Sequence, residues 1–93
     1  MFVNIKFGPP FRKIFGMEKV EFEMPFAEKP TVNEILNSLY NDYPEFYEKL
    51  REDNYLREGK IKAVILINRE LSLFEDVVED GAEIKILIPM CGG

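Results

Sequence analysis

The C-terminal residues are the part of this 93-residue chain whose types best suit chemistry. The sequence ends in Pro89-Met90-Cys91-Gly92-Gly93. Residues without side chains can enter a narrow channel, and four or five extended residues span roughly 15 Å. The tail could therefore insert into a partner and present the carboxylate of Gly93 to a buried active site. The alternative is a frayed terminus, because average glycine usage gives such a pair in roughly one chain in two hundred.

Composition excludes several other classes of function. Cys91 is the only cysteine and the chain has no histidine, so an internal disulfide and the usual Cys/His zinc sites are excluded and no metal site is predicted. The formal net charge of -5 disfavours nucleic acid and favours a basic protein partner. The longest apolar run, residues 63–67, is too short to span a membrane. We therefore expect a cytoplasmic protein that binds neither nucleic acid nor membrane.

Alternating hydrophobic residues predict the main strands, and a helical stripe predicts the element that covers them. Alternation with a period of two places the following residues on a core face: Val3, Ile5, Phe7, Val20, Phe22, Met24, Ile84, Ile86 and Ile88. Thr31 and Glu34 have the spacing of a capping box, which starts a helix. One apolar stripe of that helix needs a sheet to cover, and it consists of Val32, Ile35, Leu36, Leu39 and Tyr40.

The remaining segments complete an α+β prediction. Residues 61–67 are nearly all apolar, which predicts a strand buried on both faces in the middle of the sheet. Residues 43–60 are interpreted as a surface excursion, residues 71–74 as a short edge strand, and Asp80-Gly81 as a turn. Four phenylalanines are expected in the core: Phe2, Phe7, Phe22 and Phe46. The order of elements predicts a β-grasp, with a mixed four- to five-stranded sheet and one main helix packed across one face. Residues 1–88 form this domain and residues 89–93 a flexible tail.

Several short motifs follow one another in a recognisable order and spacing. They are Val3-Asn4-Ile5-Lys6-Phe7, residues 11–16, Pro30-Thr31-Val32 with Ile35-Leu36, Ile67-Asn68-Arg69, Asp80-Gly81 with Glu83-Ile84, and the final Gly92-Gly93. Together they resemble the β-grasp (ubiquitin-like) sulfur carriers, most closely the small subunit of molybdopterin synthase. The chain departs from the family in the tail, where one proline is absent and Cys91 stands in place of Ser or Thr. The excursion makes it longer than the thiamine-pathway carriers, which favours the molybdopterin or tRNA-thiolation branch.

The resemblance implies a carrier rather than an enzyme. A ubiquitin-activating-type adenylating enzyme would use ATP and magnesium to adenylate Gly93, and a sulfur donor enzyme would convert it to a thiocarboxylate. Met90, Cys91, Gly92 and Gly93 would insert into the large subunit of molybdopterin synthase, where the thiocarboxylate donates sulfur to the precursor pterin. The chain itself would hold no catalytic residue and no bound cofactor.

Two further residues are singled out for docking. Leu87 lies between helix-facing isoleucines on the last strand and so points to the opposite side of the sheet. Leu71 stands where the family has a docking residue and could lie beside Leu87 in a small exposed apolar patch. The alternative for both is ordinary partial burial. Cys91 is interpreted as a small residue without its own chemistry, since no basic residue nearby in sequence favours its thiolate. The alternative is that its thiol is oxidised onto the thiocarboxylate or receives sulfur from it.

Two other classes of function use the same sequence features. A ubiquitin-like protein modifier would use the same adenylate to form isopeptide bonds with lysines of target proteins. A β-grasp binding module would have no tail chemistry, and its terminal glycines would be incidental. The fold and the tail do not separate these hypotheses from the carrier.

Overall fold

The computed structural model describes residues 1–24 and 29–88. Three helices form in these ranges: α1 (Phe11–Phe15), α2 (Val32–Asp42) and α3 (Pro44–Glu52). Seven strands accompany them: β1 (Phe2–Phe7), β2 (Lys19–Glu23), β3 (Leu56–Arg57), β4 (Lys60–Ile61), β5 (Val64–Ile67), β6 (Glu70–Ser72) and β7 (Glu83–Leu87). In the same ranges, no helix has the length and apolar character needed to cross a membrane.

Five of the strands form one mixed sheet in the order β2-β1-β7-β5-β6. The first and last strands of the chain, β1 and β7, lie side by side in parallel, and the other neighbours are antiparallel. The predicted alternation is confirmed in these strands, because Val3, Ile5, Ile84 and Ile86 are all fully buried. The sheet therefore has one core face, and its central strand leads directly into the C-terminus.

Helix α2 covers the core face, as the apolar stripe predicts. The Thr31 hydroxyl accepts the Glu34 N–H at 3.2 Å, while the Glu34 carboxylate accepts the Thr31 N–H at 3.0 Å. This completes the predicted capping box and satisfies backbone donors that the helix start leaves free. All five stripe residues of α2 are buried. We call the sheet face opposite α2 the open face.

The prediction of one central strand over residues 61–67 is wrong. Ile61 belongs to β4, and the Ala63 N–H donates to the Ile61 carbonyl at 3.0 Å, which bends the chain before β5 begins at Val64. Within β5 only Ile65 is buried. The central position belongs to β7 instead. Apolar residues at every position of β5 hide which side chains face the core, and here Val64 and Leu66 face outward.

Residues 43–60 are more than a surface excursion. Pro44 opens α3, consistent with its missing N–H, and Phe46 and Leu50 bury completely or nearly so in the core. The Phe46 ring packs edge-on against Phe15 at 5.1 Å, and Phe15 stacks on Phe7 at 4.3 Å. Strands β3 and β4 form a small separate hairpin. The segment therefore extends the core at the end of the sheet where β1 and β7 finish, which we call the tail end.

One phenylalanine that was predicted to lie in the core is exposed, so that prediction is wrong. Phe7, Phe22 and Phe46 are each 3% exposed, but Phe2 is 46% exposed. Phe2 has the opposite strand parity to Val3 and Ile5, so it lies on the open face. Its hydrophobic type suggested burial, whereas its position in the alternation decides its exposure.

Candidate functional site: the tail end of the open face

Strand β7 gives the tail a firmly held origin. Ile86 pairs with Phe7 of β1 on one side, and Leu87 pairs with Val64 of β5 on the other. Beyond the strand pairs, the Gly8 N–H donates to the Ile86 carbonyl at 2.8 Å. A strand bonded on both sides cannot shift its end without breaking two ladders. The prediction that Ile88 faces the core is wrong: β7 ends at Leu87, and Ile88, just beyond the last strand pairs, is 37% exposed. The chain therefore leaves the domain from the middle of the sheet.

The tail itself lies outside the described residues. The predicted roles of Met90, Cys91, Gly92 and Gly93 in insertion, and of Gly93 as the modified residue, remain predictions. The same holds for the boundary between a domain ending at residue 88 and a tail of residues 89–93.

Gly8 allows close packing against the last strand. A Cβ added to Gly8 would lie 2.6 Å from the Leu87 Cδ2 atom and 3.3 Å from the Ile86 carbonyl oxygen. Both distances are shorter than ordinary van der Waals contacts, so only glycine fits without displacement. In the sequence, Gly8 marks only the end of a strand. Its packing role depends on β7 being the neighbour of β1, which no local pattern indicates.

The two predicted docking residues lie on the open face, with a strand between them. Leu71 of β6 faces Leu66 of β5, and Leu87 of β7 faces Val64 of β5. Directly paired residues share a face, and Val64 and Leu66 are two positions apart, so all four side chains lie on the same side. Leu71 and Leu87 are two strand spacings apart, about 10 Å across the sheet. They are therefore connected through β5 rather than adjacent.

These four residues, Val64, Leu66, Leu71 and Leu87, form what we call the open-face patch. Leu71 is 74% exposed, while the other three are half-buried. Val64 and Leu66 are the functional candidates that sequence reasoning missed, because residues 61–67 seemed buried on both faces. The signal that could identify them is the parity of β5 relative to Ile65. Apolar side chains that share one sheet face in this way, one exposed and three half-buried, make a better candidate for an interaction site than an isolated leucine does.

Charged side chains border the open-face patch. Lys6 of β1 lies beside Lys85 of β7, and Lys85 is paired with Leu66. The Lys6 ammonium lies 3.1 Å from the Glu83 carboxylate. This hydrogen bond and the charge of Lys6, with smaller contributions from Arg69 and Lys85, hold the pKa of Glu83 below its usual value. The patch thus has a basic border on the side of β1.

The acidic residues between β6 and β7 have structural roles in addition to their charge. The Asp76 carboxylate accepts the Leu73 N–H, and the Asp80 carboxylate accepts the Phe2 N–H, each at 2.8 Å. Glu79 pairs with Lys29 at 2.9 Å, which lowers the pKa of Glu79. In residues 1–24 and 29–88, no group of three or more potential metal ligands comes together. The Asp80 carboxylate thus fixes the turn before β7 to the start of β1, at the end of the sheet opposite the tail end, and the Asp76 carboxylate fixes the turn that follows β6.

A mixed sheet with parallel first and last strands, one main helix across it and a C-terminal tail from its central strand defines a ubiquitin-like β-grasp protein. The model of the ThiS family matches residues 7–93, and the chain therefore belongs to this family of β-grasp sulfur carriers. Both the predicted fold and the predicted family are confirmed. The matched region includes the tail residues.

Solved structures share the fold at low sequence identity. Small archaeal modifier protein 1 from H. volcanii superposes with a TM-score of 0.77 at 16% identity, covering 96% of this chain and 98% of that one. A putative molybdopterin converting factor subunit 1 from Pyrococcus furiosus gives 0.72 at 20% identity, with 97% and 99% covered. A chain from the complex of subunits 1 and 2 of the molybdopterin-converting factor from Helicobacter pylori superposes with a TM-score of 0.57 at 22% identity, covering 100% of both chains. No curated protein matches the sequence.

Proposed function

We propose that this protein is a sulfur carrier whose Gly93 is adenylated, converted to a thiocarboxylate and used to donate sulfur in molybdopterin biosynthesis. The observation that carries the proposal is the placement of the open-face patch beside the origin of the tail. Ile88, after which the tail begins, directly follows Leu87 of the patch. An enzyme that binds the patch would therefore hold the start of the tail close enough for Gly93 to reach its active site. The likeness to proteins named as molybdopterin-converting factors favours this branch of the family.

The proposed chemistry begins with a poor electrophile. A carboxylate repels nucleophiles, so the activating enzyme transfers AMP from ATP to Gly93 and releases pyrophosphate. The terminal sulfur of a donor persulfide then attacks the carbonyl carbon, and the bond to AMP breaks. A partner thiol next cleaves the S–S bond, which leaves the thiocarboxylate on Gly93 and a disulfide between donor and thiol. All acid-base groups for these steps belong to the partners.

The open-face patch supplies the binding energy that the tail lacks. Leu71 is the most exposed large hydrophobic residue in the part of the chain that the structure describes. Exposed apolar side chains next to half-buried ones give a partner a surface whose water is readily displaced. Lys6 and Lys85, at the border, would orient a partner that carries carboxylates there. We therefore infer that the activating enzyme and the synthase large subunit bind this one surface in succession.

Intact-mass measurement tests the carrier chemistry. The protein is incubated with an adenylating enzyme, ATP, magnesium and a persulfide donor. We expect the mass increase that corresponds to replacing one oxygen by sulfur, and no increase for a chain that lacks Gly93. Cys91→Ser is expected to load normally, which would also confirm that the thiol has no role of its own. An unchanged mass of the complete chain, with a known carrier loading in parallel, would refute the proposal.

Protein modification is the second candidate, and the likeness to a small archaeal modifier protein favours it. Both functions share the adenylate, and they differ in the nucleophile that attacks it. A lysine amine gives a stable isopeptide bond and a higher-mass conjugate. Conjugates that require Gly93 and persist after thiol treatment, without any thiocarboxylate, would favour the modifier.

A further inference from the structure

Three lysines lie side by side across the open face and form what we call the lysine row. Lys6 of β1 is paired with Lys19 of β2 on one side and with Lys85 of β7 on the other. Directly paired residues share a sheet face and neighbouring strands are about 4.8 Å apart, so the outer two are separated by roughly 10 Å. Like charges in direct cross-strand pairs destabilise a sheet. The row therefore lowers the stability of the free protein, which favours a role in recognition.

The lysine row continues without a break into the open-face patch. Lys85 is paired with Leu66 of β5, and Leu66 is paired with Leu71 of β6. One line across all five strands thus carries three lysines followed by two leucines. The paired residues Val64 and Leu87 lie beside the apolar half of this line, nearer the tail. A segment that covers the whole line must therefore be anionic in one part and apolar in the next.

Two ammonium groups of the lysine row are available to an anion. Lys6 is engaged by the Glu83 carboxylate at 3.1 Å. Lys19 and Lys85 are exposed, and neither forms an ion pair with any residue in the ranges 1–24 and 29–88. Because the whole chain carries a formal net charge of -5, this row is a local exception on an acidic protein.

Acidic side chains limit where an anionic segment can lie on the open face. Glu21 of β2 and Glu83 of β7 are both paired with Asn4 of β1, one row further from the tail than the lysines. Carboxylates placed over that row would be repelled, whereas carboxylates placed over the lysine row would be attracted. The pattern of charges therefore fixes the position of such a segment relative to the apolar patch.

We propose that the lysine row binds carboxylates of a partner protein segment whose adjoining apolar side chains cover the open-face patch. This inference rests on the proposed function only in treating the patch as a docking surface, and it specifies the chemistry that a partner presents there. Binding replaces repulsion among the lysines by ion pairs and buries the neighbouring leucines. Because exposed ion pairs are screened by salt, the affinity decreases as ionic strength rises.

NMR titration of the complete protein with synthetic peptides tests the site without any enzyme. The probe is a short peptide with glutamates in one half and leucines in the other, and the control peptide has glutamines in place of the glutamates. We expect millimolar probe to shift the amide signals of Lys19, Lys85, Leu66 and Leu71 at low salt. The glutamine peptide should bind about tenfold more weakly, since it lacks the ion pairs.

Matched variants of the protein separate the lysine row from its other basic residues. The double variant Lys19→Gln, Lys85→Gln should bind the probe about tenfold more weakly at low salt, and the difference should shrink as salt is added. It should unfold at the native temperature or slightly above it, because repulsion in the row is removed. Lys49→Gln, an exposed position on α3, should bind the probe as the native protein does.

Several results would overturn the proposal. Equal binding of the glutamate and glutamine peptides, or equal binding by the native protein and the double variant, would show that the lysine row does not recognise carboxylates. Unshifted row and patch signals at millimolar probe would show that the face does not bind such a segment. Signals that change with protein concentration alone would assign the face to a second copy of the chain. Since no sulfur chemistry enters this test, its failure would leave the proposed carrier chemistry intact, and a failure of sulfur loading would leave the binding intact.

Discussion

Both faces of the sheet carry apolar residues, which are buried on the core face and exposed or half-buried on the open face. On β7, Ile84 and Ile86 are fully buried under α2, whereas Leu87, between them and the tail, faces the open side. On the edge strand, Leu71 is 74% exposed. Apolar residues on the core face stabilise the fold, while those on the open face gain their favourable contacts only with a partner. The same hydrophobic effect thus serves folding on one face and recognition on the other.

Truncation of an apolar side chain should lower the unfolding free energy strongly on the core face and hardly at all on the open face. Ile86→Ala removes a fully buried side chain and is expected to cost about 2–5 kcal/mol of unfolding free energy, because a cavity remains. Leu71→Ala should change it by less than about 0.5 kcal/mol. Urea denaturation followed by circular dichroism measures both. Equal losses for the two variants would contradict the division between the faces.

A smaller effect is expected at Gly8, which follows β1 and packs against the end of β7. Gly8→Ala should cost about 1–3 kcal/mol, since the new methyl group overlaps the Leu87 side chain and presses on the Ile86 carbonyl. The double variant Gly8→Ala, Leu87→Ala should recover part of that loss, because the nearest contact at 2.6 Å is to the end of the leucine side chain. Thermal unfolding of the four proteins in this cycle measures the coupling. If the stability losses of the two single variants simply added up in the double variant, the contact would not contribute to the cost of Gly8→Ala.

The helix that covers the core face depends on its first turn. Thr31→Ala removes the hydroxyl that accepts the Glu34 N–H and should cost about 1 kcal/mol. Thr31→Ser keeps that acceptor and serves as the matched control, with stability close to the native value. Denaturation midpoints compare the three proteins. A loss as large for serine as for alanine would show that the methyl group matters and the cap does not.

The smallest expected effect concerns the charged border of the open face. The pKa of Glu83 is lowered by Lys6, so the pair stabilises the fold above the ordinary glutamate pKa near 4.5 and this contribution is lost as the pH falls through the lowered value. Lys6→Gln should therefore weaken the decline of stability below that pH, with little change at neutral pH. Unfolding midpoints at a series of pH values measure the difference. Lys19→Gln is the control, and an identical decline for native and Lys6→Gln proteins would contradict the assignment.

The sequence was sufficient for the parts of the fold that depend on local periodicity. Alternation located β1, β2 and β7, and the Thr31 and Glu34 spacing located the start of α2. The prediction for residues 61–67 failed because apolar side chains at both odd and even positions do not indicate which of them face the core. Strands of two residues, such as β3 and β4, are too short to form a recognisable period.

The candidate site was predictable in type but not in arrangement. Leu71 and Leu87 were found from resemblance and strand parity, yet Val64 and Leu66 complete their surface. Their placement depends on β5 lying between β6 and β7, and strand order is a property of the whole sheet. The close contact of Gly8 with Leu87 likewise arises from elements that are distant in sequence.

The rate of thiocarboxylate formation on Gly93 tests the central claim most directly, when native protein is compared with two surface variants. Leu71→Asp places a charge in the open-face patch, and Met17→Asp does the same at an exposed apolar residue that is 49% accessible and lies between α1 and β2. Intact-mass spectrometry follows sulfur loading by a limiting amount of activating enzyme. We expect Leu71→Asp to slow loading at least about tenfold, the change that corresponds to 1.4 kcal/mol of lost binding, and Met17→Asp to load at the native rate. Equal rates for Leu71→Asp and the native protein would contradict the account.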